Sequence, residues 1–171
     1  MKQTTTRVVK YRRKREGKTN YRKRLELLKG RKNRLVIRKT NTQLILQIVN
    51  YKTDGDKVLI TVQSKELKKH GWNYSAKNLP GAYLAGMLLA KKAKANKITD
   101  AILDLGLQLP LKGSRLYAAL NGAIDGGLNI PANKEVFPPE DRLKGEHIAK
   151  HLEKYKNLPA DFEKVKAELK K

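Results

Sequence analysis

The sequence predicts an α/β fold: a mixed-sheet sandwich with a basic N-terminal arm and a helical C-terminal extension. Three observations carry that prediction. Three short β-type runs separated by turn residues occupy positions 35–62. An almost wholly apolar helical stretch at 79–95 is followed by a second apolar run, and the cations crowd into the first forty residues. Strands first in a meander and then joined across a helix give a sheet that is antiparallel at the hairpins and parallel at the crossover.

Residues 1–18 show no apolar periodicity and are expected to order only on a partner. Thr19 is the expected cap of a short helix in which Tyr21, Leu25 and Leu28 recur at i, i+4 and i+7, ending near Gly30. That stripe would dock on the core, while Arg22, Lys23, Arg24 and Lys29 on the other faces grip phosphates. Leu35–Ile37, Leu44–Tyr51 and Val58–Val62 are the expected strands, the last with Val58, Ile60 and Val62 facing inward. Thr40-Asn41 and Asp54-Gly55 are the turn signals between them. The tips carry Arg38, Lys39 and Lys57.

Asn78 caps the 79–95 helix, with Pro80 in its first turn. This helix is apolar on nearly all sides up to Ala90, so it is buried, and Ala85, Gly86 and Ala90 would let it approach a sheet closely. Ile98–Leu107 is apolar at adjacent positions, the pattern of a parallel strand covered on both faces. With the preceding strand and helix it makes a right-handed βαβ crossover. Ser114 caps the next helix, with Leu116, Leu120, Ala123 and Ile124 as its stripe, and Gly126-Gly127 end it. Residues 128–140 form a loop, 143–156 a helix with Ile148, Leu152 and Tyr155 on one side, and the segment after Pro159 a short amphipathic helix. The expected units are an arm with its helix at 1–30, an α/β core at 31–139 and a helical extension at 140–171.

Charge is the strongest pointer to chemistry. Seventeen of the first forty residues are Lys or Arg, against Glu16 and Glu26, which supplies +15 of the chain's net +23. Residues 41–139 hold 13 basic and 7 acidic side chains, and residues 140–171 hold 9 and 7, so the excess is polarised toward one end. No folded core can bury that density, and the economical partner is nucleic acid. Each neutralised phosphate releases counterions, and six to ten contacts make binding fall by roughly 10³–10⁵ between low and physiological salt. Tyr11 and Tyr21 are interleaved among these cations, and His70, Trp72 and Tyr74 form a second aromatic cluster, in which Trp72 fits a core cover as well as an RNA contact. Unpaired bases stack on such rings, whereas a duplex hides its bases, which favours structured RNA with loops over DNA.

Other chemistries find little support. The chain has no cysteine, which excludes disulfides and thiolate sites. The start lacks an apolar h-region, and its basicity exceeds what an amphipathic transit peptide would need. Ala82–Ala90 is too short to span a bilayer. His147 and His151 share a helix face at metal-binding spacing, but no third ligand is evident, so a solvated or RNA-facing pair is expected. Asp100, Asp104 and Asp125 suggest a carboxylate nuclease, yet Asp125 precedes a helix-stopping glycine pair. Gly113-Ser114 opens a helix that can meet a phosphate, with plain capping as the alternative. Neither a catalytic residue nor a metal or other cofactor is expected, and neither is a small-molecule substrate.

The blocks RRKREGKTNYRKRLELLKGRKNRLVIRKTN, HGW, LPGAYLAGMLLA, ILDLGLQLPLKGSRLYAALNGAIDGGLNIPAN and RLKGEHIAKH, in that order across residues 7–151, resemble the archaeal/eukaryotic form of the universal large-subunit ribosomal protein eighteen family. The resemblance implies a ribonuclease-H-like sheet without catalysis. It implies a cytoplasmic, ribosomal place in the central protuberance, binding 5S ribosomal RNA (5S rRNA) and tying it to the large rRNA and to neighbouring ribosomal proteins. The loop LQLPLKGS departs from the family's shorter-side-chained version. Lys10 to Arg24 match the family's RNA-binding segment, and Arg34 to Asn41 match as well. The residues assigned to RNA are therefore Arg7, Lys10, Tyr11, Arg12, Arg13, Lys14, Arg15, Lys18, Thr19, Asn20, Tyr21, Arg22, Arg24, Lys29, Arg34, Arg38, Lys39 and Asn41. The competing readings are an RNA-processing or RNA-modifying enzyme, which would need paired carboxylates or a cofactor loop, and a DNA-compacting protein.

Overall fold

The structure is a computed structural model that describes residues 9–170. Among them, β1 (Arg34–Lys39), β2 (Leu44–Asn50), β3 (Lys57–Gln63) and β4 (Ile102–Asp104) form a four-stranded sheet in the order β3-β2-β1-β4. β1 pairs antiparallel with β2 and β2 with β3, while β4 runs parallel to β1. The expected α/β class with a mixed sheet is observed.

Alternation decides the faces. Leu35, Ile37, Leu44, Leu46, Ile48, Ile60 and Val62 are buried on one face. That face packs on α3 (Leu79–Ala95) and α4 (Arg115–Asp125). Val58 departs from the expected pattern. The β2–β3 register shifts between Ile48 and Val49, so that Ile48 opposes Ile60 while Val49 opposes Val58. This bulge turns Val58 to the outer face, where it is 47% exposed. β4 is also shorter than the expected Ile98–Leu107 run. Its register places Asp104 beside Val36, so its outer face is open to a polar site rather than covered by a helix.

α3 begins as its sequence requires, with Asn78 Oδ1 accepting the Gly81 N–H at 2.8 Å. Its close approach is to α4, not to the sheet. A Cβ on Gly86 would fall onto the Ala119 carbonyl oxygen, and one on Gly122 onto that of Tyr83. Two helix backbones are thus nearly in contact, which only glycine at both crossings permits.

The expected 143–156 helix is broken into α5 (Glu140–Lys144) and α6 (Glu146–His151), with a short 3-10 turn at Glu153–Tyr155. Gly145 between them has φ +81°, and a Cβ there would strike Leu158. α7 (Leu158–Lys170) then buries Leu158, Phe162, Val165 and Leu169 in the same hydrophobic cluster as the sheet and α3. Trp72 is fully buried, and its Nε1 donates to the Ser75 carbonyl, so it supports the core and cannot stack on RNA. Tyr74 packs edge-on to Trp72 and donates its hydroxyl to Asp161 of α7 at 2.7 Å, while His70 Nδ1 meets Glu168 Oε1 at 2.9 Å. The second aromatic cluster is therefore the clamp that fastens the C-terminal helix. Asp161 holds the Tyr74 hydroxyl proton tightly enough to push its pKa up to about 12.

Substituting Gly122→Ala should cost about 1–3 kcal/mol through forced separation of α3 and α4. Thermal unfolding checks it; an unchanged midpoint would mean that the two helices have room to spare.

Candidate nucleic-acid interface

The arm is built from short local contacts. α1 (Arg12–Arg15) is a single turn, and α2 (Tyr21–Lys29) follows after a bend. The cap of α2 is Asn20, whose Oδ1 accepts the Lys23 N–H at 3.1 Å; Thr19, the expected cap, instead accepts from Arg13 Nε at 2.8 Å. Glu16 holds Lys18 and Arg12, each at 2.8 Å, and these two cations keep its carboxyl below the usual carboxylate range. The rings of Tyr11 and Tyr21 lie 5.3 Å apart, tilted by 41°. Residues 9–20 are thus held by contacts local to the arm.

α2 docks through only part of the expected stripe: Leu25 is 59% exposed. Of that stripe Tyr21 and Leu28 are half-buried, and Arg24 and Leu27 join them in place of Leu25. The strongest link is a bidentate pair, in which Arg24 donates to both oxygens of Asp56 at 2.8 Å each. Arg34, only 3% exposed, donates to Asp56 at 2.7 Å and to Asp104 at 2.7 Å. Two guanidinium groups and two carboxylates therefore form one neutral network across α2, β1, β4 and the β2–β3 turn. The Arg24 guanidinium, with Arg34 behind it, lowers the Asp56 pKa against the opposing effect of burial.

Beside this network lies a cleft of about 750 Å³ between the arm, the outer sheet face and the loop after β4. Gln108 pins that loop to β1: its Nε2 donates to the Ile37 carbonyl, and its Oε1 accepts the Lys39 N–H.

Of the residues assigned to RNA from the sequence, Arg13, Lys18, Thr19, Asn20, Arg24, Arg34, Arg38 and Lys39 line the cleft. Lys10, Tyr11, Arg12, Lys14, Arg15, Arg22, Lys29 and Asn41 are exposed elsewhere, Tyr11 by 72%, and Tyr21 is half-buried. Arg7 lies outside the described residues. Arg34 departs from its assignment: it is buried and paired with two carboxylates, so its guanidinium is committed within the fold. Arg24 is committed to Asp56 in the same way, though less buried. Lys23, placed from the sequence on the phosphate-facing side of α2, also lines the cleft; sequence reasoning missed Gln47 and the valines. It also missed Asp56, which reads locally as part of the Asp54-Gly55 turn and reveals its role only across 32 residues of separation.

The residues considered for other chemistry have separate structural duties. Asp100 accepts from Asn129, Asp104 pairs with Arg34, and Asp125 accepts from the Tyr83 hydroxyl. Among the described residues, no three His, Asp or Glu side chains are grouped to hold a metal. His147 is held below its usual pKa by burial and by Arg142. Ser114 occupies the cap position of α4, but its Oγ makes no capping bond. Lys112 is exposed, 3.8 Å from Glu135.

Residues 6–101 and 91–133 match the family model described as "Ribosomal large subunit proteins 60S L5, and 50S L18". A "Large ribosomal subunit protein uL18" of Korarchaeum cryptofilum (strain OPF8) is 55% identical over 146 residues, covering 85% of this chain and 75% of that protein. One of the same name from Methanoregula boonei (strain DSM 21154 / JCM 14090 / 6A8) is 46% identical over 164 residues, covering 96% and 94%.

Asp56→Ala removes an acid yet should loosen α2 and leave Arg34 half-paired, at about 1–3 kcal/mol near neutral pH. Because the folded pKa of Asp56 is depressed, its contribution is complete above the unfolded carboxylate value of about 4 and disappears as pH falls through the lower folded value. Melting curves of wild type and Asp56→Asn between neutral and strongly acidic pH should therefore converge at the acid end. A constant gap would remove Asp56 from that role.

Proposed function

The chain belongs to this family of ribosomal large subunit proteins, and from that premise we propose that it binds 5S rRNA and helps to attach it to the large rRNA in the central protuberance. Family membership makes it a structural, non-enzymatic constituent of the large ribosomal subunit, associated there with rRNA and with other ribosomal proteins. The 5S assignment rests on the sequence resemblance. The observation that best supports an RNA role is the concentration of exposed arm cations beside a cleft that is itself walled by Arg13, Lys18, Arg38 and Lys39.

The proposed mechanism is architectural. The α/β core at 31–139 is the platform, residues 1–30 are the gripping arm, and 140–171 is the extension clamped behind. Lys10, Arg12, Lys14, Arg15, Arg22 and Lys29 take phosphates, where guanidinium forks can bind two oxygens at once. Tyr11 lies exposed on Tyr21 and meets a base or sugar. Lys18, Thr19, Asn20 and the Arg38–Asn41 turn complete the surface. Neighbouring ribosomal proteins and the large rRNA take the remaining faces.

The test is a salt-titrated competition of labelled 5S rRNA against transfer RNA and duplex DNA. Retention of 5S rRNA at salt that strips the competitors supports the proposal, and equal loss of all three overturns it in favour of a generic polycation. Replacing Arg12, Arg13 and Arg15 together by Ala should weaken binding and flatten its salt slope by about 0.7–0.9 for each phosphate no longer neutralised. An unchanged slope in filter binding would remove these three from the interface.

A further inference from the structure

We propose that the cleft on the outer sheet face holds unpaired nucleotides, with their bases against the sheet and their phosphates on the rim; the inference rests on the RNA-binding role proposed above. The floor and the rim differ in chemistry. Val36 and Val58 expose methyl groups from neighbouring parts of the outer face, and the Gln47 amide lies between their strands, its Nε2 donating to Thr61 Oγ1 at 3.2 Å. The rim carries cations from two directions: Arg13, Lys18 and Lys23 from the arm, and Arg38 and Lys39 from β1.

A duplex backbone fits this arrangement poorly. Pressing phosphates onto valine methyls would strip their water without supplying a donor, which is costly. The two carboxylates at the end of the cleft, Asp56 and Asp104, are neutralised by Arg24 and Arg34, so that end offers no surplus positive charge. A base, by contrast, has an apolar face to bury and a polar edge for an amide to read, and its own phosphate lies a sugar's length away, toward the rim. Single-stranded RNA sites combine the same two elements, a flat apolar or stacking surface for bases and a cationic track for the backbone. The volume of about 750 Å³ is that of a small-molecule site rather than of a duplex groove. The β2–β3 bulge creates the floor, because without it Val58 would point into the core.

The experiment compares two RNA hairpins, one fully paired and one carrying a three-nucleotide bulge, on the full-length protein. The bulged hairpin should bind about tenfold more tightly at equal salt, and it alone should shift the Val36 and Val58 methyl resonances. Val58→Ala with Gln47→Ala should erase that preference and leave the salt slope intact, whereas Arg12→Ala with Arg15→Ala should weaken both hairpins and reduce the slope. Methyl spectra of the unbound variants verify that they are folded. Equal affinity for the two hairpins with unmoved methyls would overturn the cleft assignment, while 5S rRNA binding by the same sample would leave the broader reading standing. Loss of both would bring down the two together.

Discussion

Arg34 is where the sheet, the crossover and the arm meet. It projects from the first strand to the outer face, where a hydrophobic residue would ordinarily face solvent or a second layer. Burying a guanidinium is expensive unless its charge and its donors are matched. Asp104 of β4 and Asp56 of the β2–β3 turn match the charge and take one terminal nitrogen each, leaving Nε buried without a partner, and Asp56 passes the constraint on to Arg24 of α2. One buried charge thus requires the fourth strand to lie beside the first, the hairpin to fold back over it, and the arm helix to close on top. The cleft exists because those three elements converge on the same residue.

The same network changes what the arm's charge means. Acids in and near the arm are few, and they are used to shape it. Glu16 gathers Arg12 and Lys18, while Asp56 takes Arg24. Lys10, Lys14, Arg15, Lys23, Arg38 and Lys39 make no ion pair with a described acid. Some cations are thus tied to acids within the fold and others are not, although composition counts them alike. The exposed pairs at Glu16 are weak, so their value lies in giving a short arm a preferred path rather than in global stability.

Much of the architecture was legible because it depends on local pattern. The apolar stretch over 79–95, its Asn78 cap and the three meandering strands all follow from spacing and turn chemistry, and the structure shows them. What was not legible depends on partners distant in the chain. Arg34 and Arg38 are two cations four residues apart on the same strand face, but one is buried by two remote carboxylates and the other lines the cleft in reach of solvent. Trp72 read equally as a core ring and as an RNA-facing one, because its covering elements lie elsewhere in the sequence. Val58 fitted strict alternation, and a one-residue bulge reversed it. Leu25 fitted a helical stripe, but the ion pair of Arg24 with Asp56 turns α2 so that Leu27 takes its place beside Tyr21 and Leu28.

The division between legible and illegible residues follows from how specificity arises here. A polycationic arm binds any polyanion, since counterion release does not depend on base sequence. Discrimination needs groups held at fixed separations, and holding them requires contacts between segments far apart in the chain. The α3–α4 glycine crossing and the α7 clamp keep the sheet rigid from behind, and the Arg34 network fixes the arm in front. Charge density, visible in the first forty residues, sets how strongly the protein is drawn to RNA. The long-range contacts determine the shape of the surface on which those cations are presented.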